Sequence, residues 1–169
     1  MHKDENLGLG PVTPRQSDAA RRFFTLLPRG QDLTSMILKG HLLIEEQVRR
    51  IIDERVKNPD AVEKAKLDCH QAICIAKALC PKEQEPWLWE AAIKLNKIRN
   101  KIAHKVEPVG LDDRIDDFVN SVPSGLYFSE DKQGRFEGAL WSLFEAVSSL
   151  VEWPTATVYE LVKGKDEVT

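Results

Sequence analysis

The sequence predicts an all-α domain, and three observations lead there. Apolar residues recur at three- and four-residue spacings over several long stretches, as on helices with one buried face. Turn-forming clusters separate those stretches, at Pro28-Arg29-Gly30, Asn58-Pro59-Asp60 and Pro108-Val109-Gly110. No strand has to be invoked for any part of the chain. With 169 residues, 42% of them apolar, the chain suits one domain around a single core.

Residues 1–16, with Gly8, Gly10, Pro11 and Pro14, read as a flexible arm. A short helix is then expected from Ser17, as N-cap, to Leu27. A long central helix follows over Leu33 to Val56, on the spacing of Ile37, Leu38, Ile44, Val48, Ile51 and Ile52. A third runs from Ala61 to Leu79, with Leu67, Ile73, Cys74 and Ala78 facing inward, and Pro81 ends it. The fourth spans Pro86 to His104, its stripe formed by Leu88, Ala91, Leu95, Ile98 and Ile102. A short acidic helix over Leu111 to Val119 and a loop containing Pro123, Gly125 and Gly134 lead to the last strong helix. That helix covers Phe136 to Trp153, with Leu140, Phe144, Val147 and Val151 in register, before Pro154 and a weaker segment to Val162. The expectation is a bundle of five to six helices forming one domain over residues 17–163, with residues 164–169 as a tail. Trp141 and Trp153 are expected in the core; Trp87 and Trp89 face different ways, so packing suits them better than a base-stacking platform.

Charge and composition narrow the function. A net charge of -3 argues against a protein that coats nucleic acid nonspecifically, so any such contact must be local. Between Ala91 and Val106 stand Lys94, Lys97, Arg99, Lys101 and Lys105, with no acid among them. There is no helix-turn-helix with a basic recognition helix, which argues against sequence-specific DNA binding, and no glycine-rich phosphate loop. No apolar run approaches a membrane span, and the N-terminal stretch lacks the apolar region of a signal peptide, so a soluble cytoplasmic protein is expected.

Cys69, Cys74 and Cys80 fit no zinc-ligand spacing, and the neighbours Cys69 and His70 point about 100° apart on a helix. They are read as buried thiols, with no disulfide, metal or cofactor expected.

The segment Lys97-Ile98-Arg99-Asn100-Lys101-Ile102-Ala103-His104-Lys105 carries the chemistry. A histidine moves protons near neutral pH, an arginine fork holds a phosphate as charge builds on it, and an amide positions its neighbours. These are the groups that cut RNA without a metal. Arg99 and His104 differ in direction by about 140° on an ideal helix, so one straight helix does not aim both at one phosphate. Taken alone, the segment also reads as a basic helix end with His104 as a C-terminal cap.

Arg99-Asn100-Lys101-Ile102-Ala103-His104, preceded by Leu95-Asn96-Lys97-Ile98, resembles the motif of the HEPN superfamily, the helical domain named for higher eukaryotes and prokaryotes nucleotide-binding. Gly40-His41-Leu42-Leu43-Ile44-Glu45-Glu46 resembles the long first core helix of one bacterial branch, and the likeness extends over about Leu33 to Glu107. It implies a homodimer in which two motif helices meet at one cleft. Catalytic members are metal-independent endoribonucleases in which the ribose 2′-hydroxyl attacks, leaving a cyclic phosphate and a free 5′-hydroxyl. Arg99, Asn100 and His104 would be the catalytic set, with Lys97, Lys101 and Lys105 holding the RNA backbone. An antitoxin or regulatory protein is an implied partner. Lys105-Val106-Glu107 follow His104 where some toxin members carry a modified tyrosine, so neutralisation by that modification is not implied. A noncatalytic interaction module, similar to the mannitol operon repressor group, is the alternative; nucleotide binding ranks third.

On the long helix, His41 lies one turn before Glu45 and reads as a buried, hydrogen-bonded histidine or a second group near the cleft. Glu45 and Glu46 are spaced to pair with Arg49 and Arg50. An acid here facing Arg99 would fix its guanidinium, which makes Glu45 a supporting candidate.

Overall fold

In the computed structural model the described residues are 13–28, 30, 32–81, 86–104, 108–123 and 130–152. They form seven helices and no strand: α1 (Pro14–Leu26), α2 (Leu33–Arg55), α3 (Pro59–Lys64), α4 (Cys69–Leu79), α5 (Pro86–His104), α6 (Leu111–Ser121) and α7 (Lys132–Val151). The chain is an all-α bundle. Residues 1–12, Lys105, Trp153, the segment to Val162 and the tail lie outside the described residues.

α2 is the axis of the bundle, as its uninterrupted apolar spacing predicts. It packs against α7, α4 and α5, and touches α1 and α3. Met36, Ile37, Val48 and Ile51 are wholly buried along it. Its last turn is tied across the core by Arg55, whose Nη2 donates to the Leu150 carbonyl of α7 at 2.5 Å. α5 is the second inner helix, in contact with α2, α4, α6 and α7. Its buried Leu88, Ala91, Leu95 and Ile98 are the predicted stripe, while Ile102 is only partly buried. Trp89 is also buried and Trp87 is half-buried, so packing accounts for both.

Two boundaries differ from the sequence reading because the cap was placed wrongly. α1 begins at Pro14, not Ser17, and so takes in the end of the expected arm. Thr13 is its N-cap, with a reciprocal box to Gln16 and proline at the first helical position, where no amide hydrogen is missed. α7 starts at Lys132, ahead of Phe136, because Asp131 caps it through the Gly134 amide.

The expected third helix is two helices, which raises the count to seven. Lys66 has φ 50, a left-handed residue that stops α3. Asp68 then starts α4 with its own capping box to Gln71. The restart changes which residues face inward: Ala72, Ile73 and Ala76 are buried, whereas Cys74 and Ala78 are exposed and Leu67 is half-buried. The thiols divide likewise, with Cys80 buried, Cys69 half-buried and Cys74 exposed. All three are free.

Gly40 marks a close approach of α2 to α7. A Cβ there would collide with the Leu140 side chain, whose Cγ would lie at 3.2 Å. Leu140 is wholly buried and has nowhere to swing. Gly40→Ala is therefore expected to destabilise the fold by about 1–3 kcal/mol despite alanine's better helix propensity. Chemical denaturation checks this, and a stabilised variant would show that the two helices can part at no cost.

Candidate functional site

α5 brings the motif residues to one end of the bundle. On an ideal helix Asn96 and Asn100 project between the directions of Arg99 and His104, so the four share a polar arc of about 140°. Their environments differ. Asn96 is buried, Arg99 and Asn100 are half-buried, and His104, the last residue of α5, is exposed.

Arg99 and Asn100 meet directly: Nη1 of Arg99 donates to Oδ1 of Asn100 at 3.0 Å. Asn100 therefore holds the guanidinium. Its amide hydrogens and the remaining guanidinium N–H groups are donors suited to an anion. Among the described residues the His104 side chain makes no hydrogen bond or ion pair, and nothing there joins it to Arg99 within one chain.

Of the basic segment, Lys97 is exposed and Lys101 half-buried, while Lys105 falls outside the described residues. Lys94 is already matched by acids, Glu90 on its own helix at 3.1 Å and Asp117 of α6 at 3.0 Å. The segment is acid-free in sequence but not in space, and its positive end is the C-terminal part of α5.

Behind Arg99, where α2, α4 and α5 meet, lies a polar cluster. His41 of α2 is 3% exposed, and its Nε2 lies 3.1 Å from Oδ1 of Asn96 and 3.4 Å from Sγ of Cys69. Its Nδ1 is buried without a hydrogen-bond partner and stands 3.8 Å from Oε2 of Glu45. Glu45 gives its other oxygen to Arg49, which donates through Nε at 3.1 Å and Nη2 at 2.6 Å. Arg49 also donates to the Leu67 carbonyl at 3.0 Å, tying α2 to the turn before α4. The expected pairs of Glu45 with Arg49 and Glu46 with Arg50 are both formed. Glu45 thus faces His41 and Arg49, and among the described residues no hydrogen bond or ion pair joins it to Arg99.

Burial lowers the pKa of His41 below its usual value; Glu45 and the Asn96 hydrogen bond oppose that shift, and the charge of Arg99 adds to it. Burial pushes the Cys69 thiol up to about 12, with Glu45 adding to the shift and Arg49 and Arg99 opposing it. His41, Glu45 and Cys69 each present a ligating atom, all within 4.8 Å of one another.

The sequence reading includes Asn96 in the stretch that resembles the motif but gives it no role. Its signal was a polar residue beside Leu95 on the inner side of α5, one turn before Asn100. Replacing it by leucine strips the acceptor from a buried imidazole, so Asn96→Leu should lower stability by about 1–3 kcal/mol despite its added apolar volume. Urea unfolding measures this, and an unchanged midpoint would show that His41 needs no partner.

No protein-family model, curated protein or solved structure matches the chain. No described helix is long and apolar enough to cross a membrane.

Proposed function

We propose that the chain is a metal-independent endoribonuclease of the HEPN type, acting as a toxin or defence effector on RNA. The observation that carries the reading is the end of α5, where Asn100 holds the Arg99 guanidinium and His104 stands exposed one turn further on. Arg99 binds the scissile phosphate and stabilises the charge that develops on it. One His104 accepts the 2′-hydroxyl proton as that oxygen attacks phosphorus, and a second gives a proton to the departing 5′-oxygen. The products are a 2′,3′-cyclic phosphate and a 5′-hydroxyl, so no water is consumed in this step. Two copies of α5 at a homodimer cleft supply both histidines and remove the angular mismatch between Arg99 and His104. Lys97, Lys101 and Lys105 hold the backbone, so affinity falls with salt.

The test is incubation of the purified protein with total and transfer RNA in EDTA, with helicity followed by circular dichroism and the product ends resolved. Discrete fragments ending in cyclic phosphate are expected. Intact RNA beside a folded dimer would overturn the reading and favour a noncatalytic interaction module, similar to the mannitol operon repressor group. That alternative draws support from exposed apolar side chains, Leu42 of α2 at 58% and Val109 after α5 at 84%. An antitoxin or other regulatory protein would restrain the active form.

A further inference from the structure

We propose that His41, Glu45 and Cys69 form a binding site for a single zinc-class cation that staples α2 to α4. It does not rest on the ribonuclease reading: Glu45 is a supporting candidate there, but none of Arg99, Asn100 and His104 is a ligand.

The argument starts from an unpartnered atom. The tautomer with its hydrogen on Nε2 donates to Asn96 Oδ1 at 3.1 Å and keeps a lone pair on Nδ1. That lone pair has no hydrogen-bond partner and faces Oε2 of Glu45 at 3.8 Å. The Arg49 hydrogen bonds to Glu45 go to Oε1, so Oε2 is the oxygen turned toward the ring. Two electron-pair donors therefore face each other in a buried place, which is unfavourable unless a positive charge lies between them.

A cation fits the spacing and the chemistry. Around tetrahedral zinc, bond lengths of about 2.0–2.1 Å put neighbouring nitrogen and oxygen ligands roughly 3.3 Å apart, slightly closer than Nδ1 and Oε2 now stand. Cys69 is the third ligand: its Sγ, now 3.4 Å from Nε2, swings to the Nδ1 side on binding, and the donor atoms of the three residues lie within 4.8 Å of one another. His41 and Glu45 are four residues apart on one face of α2, and Cys69 is the first residue of α4. Binding replaces the thiol proton of Cys69, which leaves to solvent, by a metal–sulfur bond. The resulting thiolate and the Glu45 carboxylate neutralise a divalent ion, and a water takes the fourth position. Thiolate with imidazole selects zinc or cobalt over magnesium or calcium. Glu45 and Cys69 are half-buried, so an ion can enter from their side.

Cobalt is the probe, because a thiolate ligand gives it a charge-transfer absorption. Metal-free full-length protein titrated with cobalt(II) is expected to saturate at one ion per chain with that band present, and zinc should displace the cobalt while magnesium does not. Cys69→Ser should lose the band, and Glu45→Gln should weaken binding at least about tenfold. Circular dichroism verifies that both variants are folded. Cys74→Ser is the control: Cys74 lies 3.8 Å from His70 on the exposed side of α4 and should not matter. Saturation without the band, a band that survives in Cys69→Ser, or loss of the band in Cys74→Ser would each overturn the proposal.

Discussion

His104→Ala is expected to lower RNA cleavage by about 10²–10⁴-fold, the usual contribution of a positioned proton-transfer group. His104 is exposed at the end of α5 and has no hydrogen bond among the described residues, so its removal leaves the core as it was. A loss of activity in that variant is therefore a loss of chemistry. Arg99→Ala should fall into the same range, and Arg99→Lys should recover little, because an ammonium offers no planar fork for two phosphate oxygens. Asn100→Ala separates positioning from chemistry: it removes the acceptor 3.0 Å from Nη1, and the guanidinium loses one hold while keeping its charge. A smaller loss than for Arg99→Ala is expected there. Product-end analysis and rates under single-turnover conditions decide the matter. Cleavage that persists in both His104→Ala and Arg99→Ala would sink the assignment of these residues.

The largest effect on stability is expected for Phe23→Ala, about 3–5 kcal/mol. Phe23 is wholly buried and lies at the centre of an aromatic cluster joining α1 to α7. Its ring centroid stands 4.7 Å from that of Phe144 and 5.2 Å from that of Trp141, with Phe24 5.4 Å away and edge-on. Truncation leaves a cavity bordered by three rigid rings, which cannot collapse into it as flexible side chains would. For a chain of this size the loss corresponds to a fall in Tm on the order of 10 °C. Phe24→Ala should cost less, because Phe24 is only partly buried. Thermal unfolding of the two variants side by side checks both the size and the order, and equal small losses would mean that α1 is not integral to the core.

The sequence made the inner helices legible because their burial is decided by periodicity alone. α2 and α5 are long and apolar on one side, and both were placed to within a residue. The start of α1 and the break between α3 and α4 were not seen, for a common reason. Each depends on which of several polar residues donates or accepts at a helix end, and Thr13 and Asp68 compete with equally plausible neighbours. Cys74 shows the cost: a break of a few residues turned a predicted inward thiol to solvent. At the candidate site, Arg99, Asn100 and His104 were legible because they lie within six consecutive residues. The cluster behind them was not, since His41, Cys69 and Asn96 come from three helices and only the fold brings them together. His41 was nevertheless read as buried and hydrogen-bonded, which is how it stands.

The contact between Asn96 and His41 also bears on how the site could be altered. Apolar stripes interlock by shape, and a cylinder packed only by them tolerates a modest turn about its own axis. One polar pair inside the seam removes that tolerance, because any appreciable turn of α5 strands both partners in an apolar surround. The azimuth of Arg99 and His104 is thereby dictated from within the protein, by a residue outside the proposed catalytic set. To redirect those two side chains an engineer would have to move Asn96 along the helix or dispense with His41, whereas reshuffling the leucines and isoleucines of the seam would leave their aim intact.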